Sequence, residues 1–194
     1  MKFMRTFSCL FAILLFFNLN TTIAQQSTKL QNLHHVDAFL IGTSYNYEYA
    51  FGSNFTLSPS FSVIPGVYTY YISGNQNQKW TSALHQSLSL DTRWYTNVNR
   101  KVRKGKNVEN NSANFVSLLV EYIPEFQNMR YSMYAITPRW GFRSSFTNNF
   151  FMEFAIGLPY IMDKRLSNDG NLYEWRSEVG LHLGLKAGVA FGKK

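Results

Sequence analysis

The chain has 194 residues, 45% hydrophobic and 17% aromatic, with 19 Lys and Arg against 11 Asp and Glu for a formal charge of +8. That length points to one domain. Its single cysteine, Cys9, excludes a disulfide scaffold, and no later run supplies the roughly 18 consecutive apolar residues of a transmembrane helix.

The first 24 residues read as a secretory signal peptide. Lys2 and Arg5 make a basic start, Cys9–Leu19 is a short apolar run, and Thr22 and Ala24 are the small residues ahead of a cut before Gln25. Cys9 precedes most of the apolar run, so a lipoprotein signal does not fit. The expected organisation is a signal peptide over 1–24, a lead-in over 25–36 and a barrel over 37–192. Without Lys2 and Arg5 the exported part keeps an excess of basic residues. Export excludes nucleic acid as a partner and leaves an anionic membrane surface. His34 and His35 are adjacent, and neighbours on a strand point oppositely, so they do not share a metal.

From there the pattern has a period of two, bounded by turn residues, which is the signature of half-buried strands. Seven strands are expected, at about 37–50, 55–71, 82–97, 114–123, 132–146, 150–161 and 174–191. In the second, Phe55, Leu57, Pro59, Phe61 and Val63 alternate with Thr56, Ser58, Ser60 and Ser62. Pro65 in the same run marks a bulge, an early end or an edge. Arg139–Tyr160 reads as a hairpin. Trp140, Phe142 and Phe146 lie on one side of its first arm, with Arg139, Gly141 and Arg143 on the other. Its second arm sets Met152, Phe154 and Ile156 against Glu153 and Ala155, with Phe151 as an exception. The last run sets Val179, Leu181, Leu183, Leu185, Val189 and Phe191 against Arg176, Glu178, Gly180, His182, Gly184 and Lys186.

One face is thus almost free of charge along six strands, and the other carries the charges. A lipid-facing band needs that uniform apolar area, and a small core does not. The expected fold is all-β: an antiparallel up-and-down transmembrane β-barrel of about eight strands, with its apolar face outward. Backbone groups in lipid must all be paired, so such a sheet closes on itself. Either Thr28–His35 supplies the eighth strand or one of the long strands divides. The lumen side then carries Glu48, Asp91, Glu121, Glu153 and Glu178 against Arg93, Arg139, Arg143, Arg176 and Lys186. This balance predicts a paired network filling a narrow interior, because eight strands leave little room for water.

Leu90–Arg100, followed by Lys104–Asn107 and Asn110–Phe115, resembles the small outer-membrane β-barrel proteins common in Bacteroidota, most of them uncharacterised. The Trp140–Arg143 strand and the closing aromatic-ended strand fit the same pattern, and the resemblance covers most of residues 37–192. It implies a bacterial outer-membrane location, contact with outer-membrane lipids, handling by the barrel insertion machinery, and no transferable catalytic or ligand-binding residue. The tail departs from the pattern, since Phe191 is followed by Gly192-Lys193-Lys194.

The basic turn, with Arg100, Lys101, Arg103, Lys104 and Lys106, would face the periplasm in that topology. It is read either as a solvated hairpin or as a contact for anionic headgroups or cell-wall polymer, with Glu109–Asn114 as its polar return. His85 and Ser87 share a strand side, an arrangement like that of outer-membrane lipid A deacylases. However, Asp91 lies about 13 Å further along a strand, and no motif supplies a nearer acid. Asp163–Asn171 lacks the ligand spacing of a calcium loop. Tyr45, Tyr47, Tyr49, Tyr68, Tyr70, Trp80, Trp94, Tyr122, Tyr134, Tyr160 and Trp175 are candidates for interfacial girdles. The expectation is a monomeric barrel without cofactor or catalysis, in a structural or surface-display role. The alternatives are a narrow pore, a lipid-modifying enzyme, and a soluble barrel with inverted faces holding an apolar ligand.

Overall fold

The computed structural model describes residues 29–39, 42–71, 78–125, 131–146, 149–166 and 173–192, with side chains omitted at 66–71, 78–83, 131, 165–166 and 173–174. Ten strands form one antiparallel sheet: β1 (Leu33–Phe39), β2 (Gly42–Phe51), β3 (Phe55–Tyr71), β4 (Gln78–Tyr95), β5 (Asn114–Ile123), β6 (Tyr131–Ser145), β7 (Phe150–Gly157), β8 (Tyr160–Leu166), β9 (Tyr173–Val179) and β10 (His182–Phe191). β1 pairs with β10, and β5 with β6, so the sheet closes. A short helix, α1 (Val98–Arg103), and a 3-10 turn at Glu109–Asn111 connect β4 to β5.

The ten strands amount to eight walls. β7 and β8 run against β6 in one register, Arg139 opposite Gly157 and Ile136 opposite Tyr160, with Leu158-Pro159 between them. β10 and β9 continue across the same break, His182 opposite Gly157 and Val179 opposite Tyr160. Pro159 has no amide hydrogen for the ladder, so one long strand reads as two. The segment 1–24 expected to be a signal peptide lies outside the described residues.

The eighth wall comes from the beginning of the chain. The expected strand 37–50 is a hairpin instead: β1 and β2 pair from Leu33↔Glu48 to Phe39↔Gly42. The lead-in expected over 25–36 therefore already contributes Leu33–Val36 to the barrel. The β1–β2 register sets odd positions opposite even ones, so His35 and Asp37 are buried with Ser44, Asn46 and Glu48. β3 does not end at Pro65 but runs on to Tyr71. Pro59 leaves its mark within the β2–β3 ladder, where pairing lapses between Asn46↔Ser60 and Tyr49↔Leu57.

The faces sort as alternation requires. Trp140, Phe142, Leu118, Leu88, Phe61, Ile156 and Leu185 are exposed around the barrel, while Arg139, Arg143, Glu153, Arg93 and Asp91 are buried inside it. Most of the buried apolar residues gather at the α1 end, Leu119 and Ala135 excepted. Leu30, Tyr95, Val98, Val108, Ala113, Phe115 and Ala155 form one cluster, and Leu33, Phe151 and Ala190 a smaller one. Together they seal the lumen below the charges.

Gly141 makes room for this seal. A Cβ there would lie 2.5 Å from Phe115 Cζ and 2.5 Å from the Phe154 carbonyl oxygen. The ring is fully buried and the carbonyl belongs to the paired strand, so neither yields cheaply. Gly141→Val is expected to destabilise the barrel by about 1–3 kcal/mol. Denaturant titration of the refolded protein, followed by tryptophan fluorescence, checks this. An unchanged midpoint would show that the seal is looser than described.

Candidate functional site

Alternation on six strands aims short and long polar side chains at one axis, and they meet in a single hydrogen-bonded chain. Arg139 Nη2 donates to Asp91 Oδ2 at 2.6 Å, and Arg93 Nε donates to the same oxygen. Arg93 then spans Glu153 with two bonds, 2.7 Å from Nη1 and 2.9 Å from Nη2. Glu153 Oε2 also accepts from Arg143 Nη2 at 2.7 Å, and Arg143 Nη1 donates to Glu48 Oε2 at 2.7 Å. The chain therefore runs Arg139–Asp91–Arg93–Glu153–Arg143–Glu48, with three guanidiniums and three carboxylates. All six residues are buried.

Uncharged neighbours complete it. Thr56 Oγ1 and Tyr95 OH donate to Glu48 Oε1 at 2.9 and 2.6 Å. Arg139 Nε donates to Ser117 Oγ at 3.3 Å. Two rings on the lumen side lie beneath the guanidiniums, Phe115 under Arg93 and Phe151 under Arg143, each 4.5 Å from ring centroid to guanidinium carbon. Phe151, the exception to the alternation, thus faces inward because it packs an arginine and meets His35 edge-on. Paired, forked and stacked, these arginines meet the conditions that make buried charge tolerable.

A second cluster borders the first on β1 and β2. His35 Nδ1 lies 2.6 Å from Asp37 Oδ1, and Asn46 Nδ2 donates to Asp37 Oδ2 at 3.0 Å. His35 Nε2 is 3.8 Å from Glu48 Oε2, which links the two groups. Sequence reasoning missed His35, Asp37 and Asn46 as a cluster because the β1–β2 pair reads as one strand over 37–50, and it assigned Tyr95 no place in the lumen. The polar run Thr43–Ser44 beside Gly42 was the available sign of a turn.

Six of the ten expected lumen charges are therefore brought together: Glu48, Asp91, Arg93, Arg139, Arg143 and Glu153. Lys186 joins at the margin, 3.8 Å from Asp37 Oδ2 and one quarter exposed. Arg176 and Glu178 do not join. Both are exposed on β9, which lies beyond the fully closed part of the wall. Glu121 is half-buried on β5, two residues from that strand's end, and is outside the chain.

His85 and Ser87 are buried on the lumen side, as their spacing requires. Asp91 is engaged by Arg93 and Arg139, which orients it away from service to a histidine. His34 and His35 do point apart: His34 lies among Tyr47 and Phe191 at 4.6 and 5.7 Å, while His35 is buried. Asp163 is buried on β8, and the loop residues that follow at 167–172 lie outside the described residues.

The basic turn is more ordered than a solvated hairpin. Val98 is buried and Val102 packs partly against the apolar seal. Arg100, Arg103, Lys104 and Lys106 are exposed, whereas Lys101 turns back to donate to the Ser112 carbonyl at 2.7 Å. Burial, and then the neighbouring Lys106, lowers the Lys101 ammonium pKa from its ordinary value. The expected polar return is not solvated. Glu109, Asn110 and Asn111 are buried, the two asparagines at φ of 53° and 57°. Asparagine tolerates that left-handed backbone. Asn111 clamps the lead-in by accepting from Gln31 N at 2.8 Å and donating to Gln31 O at 3.0 Å.

Aromatic residues cluster towards both ends of the outer wall. Phe51, Phe55 and Trp94 stack at the α1 end, and Tyr122, Tyr134 and Trp175 meet at the other. Tyr68, Tyr70 and Trp80 fall outside the described side chains. The chain matches no family model, no curated protein and no solved structure, so its functional reading rests on this geometry.

Proposed function

We propose that the protein is a small integral outer-membrane barrel with a permanently plugged lumen, serving a structural or surface-display role. One observation carries the reading: the apolar side chains lie outside and the charges inside. More large apolar residues are exposed than buried among the described residues, and they form a band around the wall. Soluble monomers rarely expose apolar patches beyond a few hundred Å². A lipid-facing band with a polar interior is the expected dress of a transmembrane barrel. The inverted soluble barrel finds no support in this distribution.

The plug argues against the pore. The three arginines are spanned from wall to wall, and the α1 end carries an apolar seal beneath them. Planar-bilayer recordings are expected to show no discrete conductance steps. Resolved channels of constant amplitude would restore the pore reading. The enzyme reading has nothing comparable, because Asp91 is committed to two arginines.

The resemblance to envelope barrels sets the basic turn, and α1 with it, on the periplasmic side. The exported part has no cysteine, so single cysteines report topology cleanly. With a membrane-impermeant maleimide on intact cells, Glu125→Cys is expected to label and Lys104→Cys to label only after lysis. Labelling of Lys104→Cys on intact cells would reverse the orientation.

A further inference from the structure

Among the described residues, charge is segregated along the barrel axis. The plug in the middle is balanced, three guanidiniums against three carboxylates. The end away from α1 carries both signs, Glu121, Glu125, Asp163 and Glu178 with Lys164 and Arg176. The α1 end carries one sign. Lys29, Arg100, Lys101, Arg103, Lys104 and Lys106 all lie there. Lys29 is brought in from the start of the chain by Leu30 in the apolar seal and by the Gln31–Asn111 clamp. Between Asp91, which belongs to the plug, and Glu109 the sequence has no acid. Glu109 is itself buried and accepts from Asn107 Nδ2 at 3.2 Å.

The basic face is held in place by its other side. Val98 and Val102, one helical turn apart, anchor α1 on the seal, and Lys101 ties it to Ser112. That leaves Arg100, Arg103 and Lys104 exposed together, at the spacings where helical side chains are neighbours. Like charges so placed oppose the helix, and no acid in its first turn offsets them. The fold thus holds cations against one another, a repulsion that an anion from outside relieves. The neighbouring wall says which anion. α1 begins just past Trp94, which is 50% exposed and joins Phe55 and Phe51 in a stack on the outer face. Such an aromatic row marks the border between hydrocarbon and headgroups. The headgroup layer is roughly 5–8 Å deep on each side and α1 is about 9 Å long, so its cations, on long flexible stems, reach the level of the phosphates.

Resting on the membrane reading above, we propose that the α1 end is a docking face for anionic phospholipid, whose headgroup phosphates gather on Arg100, Arg103, Lys104 and Lys106. The arginines take phosphate oxygens through their forked N–H groups, and the lysines act as point charges. This face fixes the depth of the barrel's end and selects its lipid neighbours by charge, which a rim of mixed sign does not do.

The test uses the refolded exported chain in bicelles of phosphatidylcholine and phosphatidylglycerol in equal amounts. A nitroxide is placed at Asn99→Cys, an exposed uncharged position on α1. Its relaxation of the two phosphorus resonances is read separately for each lipid. Phosphatidylglycerol is expected to be relaxed about fivefold more than phosphatidylcholine, the worth of one base beside a charged surface. Molar salt is expected to bring the ratio close to one, and so is the combined variant Arg100→Gln, Arg103→Gln, Lys104→Gln and Lys106→Gln. A nitroxide at Glu125→Cys, at the end of mixed sign, is expected to show no such preference. Equal relaxation of the two lipids from Asn99→Cys at low salt would overturn the proposal, and so would relaxation of neither. Binding to isolated cell-wall sacculi through the same four residues, without lipid preference, would also overturn it and name the polymer as the partner. A nitroxide at Leu118→Cys separates this outcome from the membrane reading, since it relaxes acyl-chain protons when the wall is in lipid. If it does so while the α1 label shows no preference, only the docking face falls. If it does not, the membrane reading falls and takes the docking face with it.

Discussion

Glu153→Ala is expected to lower barrel stability by about 3–5 kcal/mol, because it strips two buried arginines of a shared partner. Arg93 and Arg143 between them place four hydrogen bonds on Glu153. Arg143 keeps Glu48, and Arg93 keeps Asp91, but each retains donors with nowhere to go in a lumen already sealed from one end. The measurement is the denaturant or temperature midpoint of the refolded barrel. Glu121→Gln serves as the control, since Glu121 lies outside the chain, and a shift within about 0.5 kcal/mol is expected. Equal effects of the two substitutions would mean that the buried network contributes nothing beyond polarity.

Leu118→Arg probes the other face. Leu118 is 47% exposed near the middle of β5 and touches no part of the plug's ion pairs. At the midplane of a bilayer an arginine on a lipid-facing position costs about 2–4 kcal/mol, whereas on a solvated surface it is nearly neutral. Folding yield into vesicles is therefore expected to fall for Leu118→Arg, with a cost shrinking towards the interfaces, as at Phe55→Arg. A neutral effect at Leu118 would place that face in water and turn the barrel's chemistry around.

What the sequence disclosed depended on how local its signals were. β3 and β5 have the bounds that turn residues and alternation indicate, 55–71 and 114–123, because period-two patterning is a property of neighbouring residues. Arg139, Arg143 and Glu153 could be assigned inward for the same reason. The β1–β2 pair was hidden because 37–50 looks like one continuous run while the inward parity reverses between β1 and β2, and Asp37 is absent from the expected lumen charges for that reason. Arg176 and Glu178 obey the alternation and still leave the network. Parity sets the side of a strand, but height along the barrel sets whether that side is enclosed, and height follows from stagger between distant strands. Burial of Glu109–Asn111 was illegible too, since it arises from contacts with Gln31 and Arg143, far away in the chain.

The central claim is that this closed barrel lives in a membrane with its apolar face outward. Expression with the full leader, isolation of outer membranes and comparison of boiled with unboiled samples in SDS gels tests it most directly. The account predicts recovery in the outer-membrane fraction and faster migration of the unboiled barrel. Recovery in the periplasm or medium with no migration shift would contradict it.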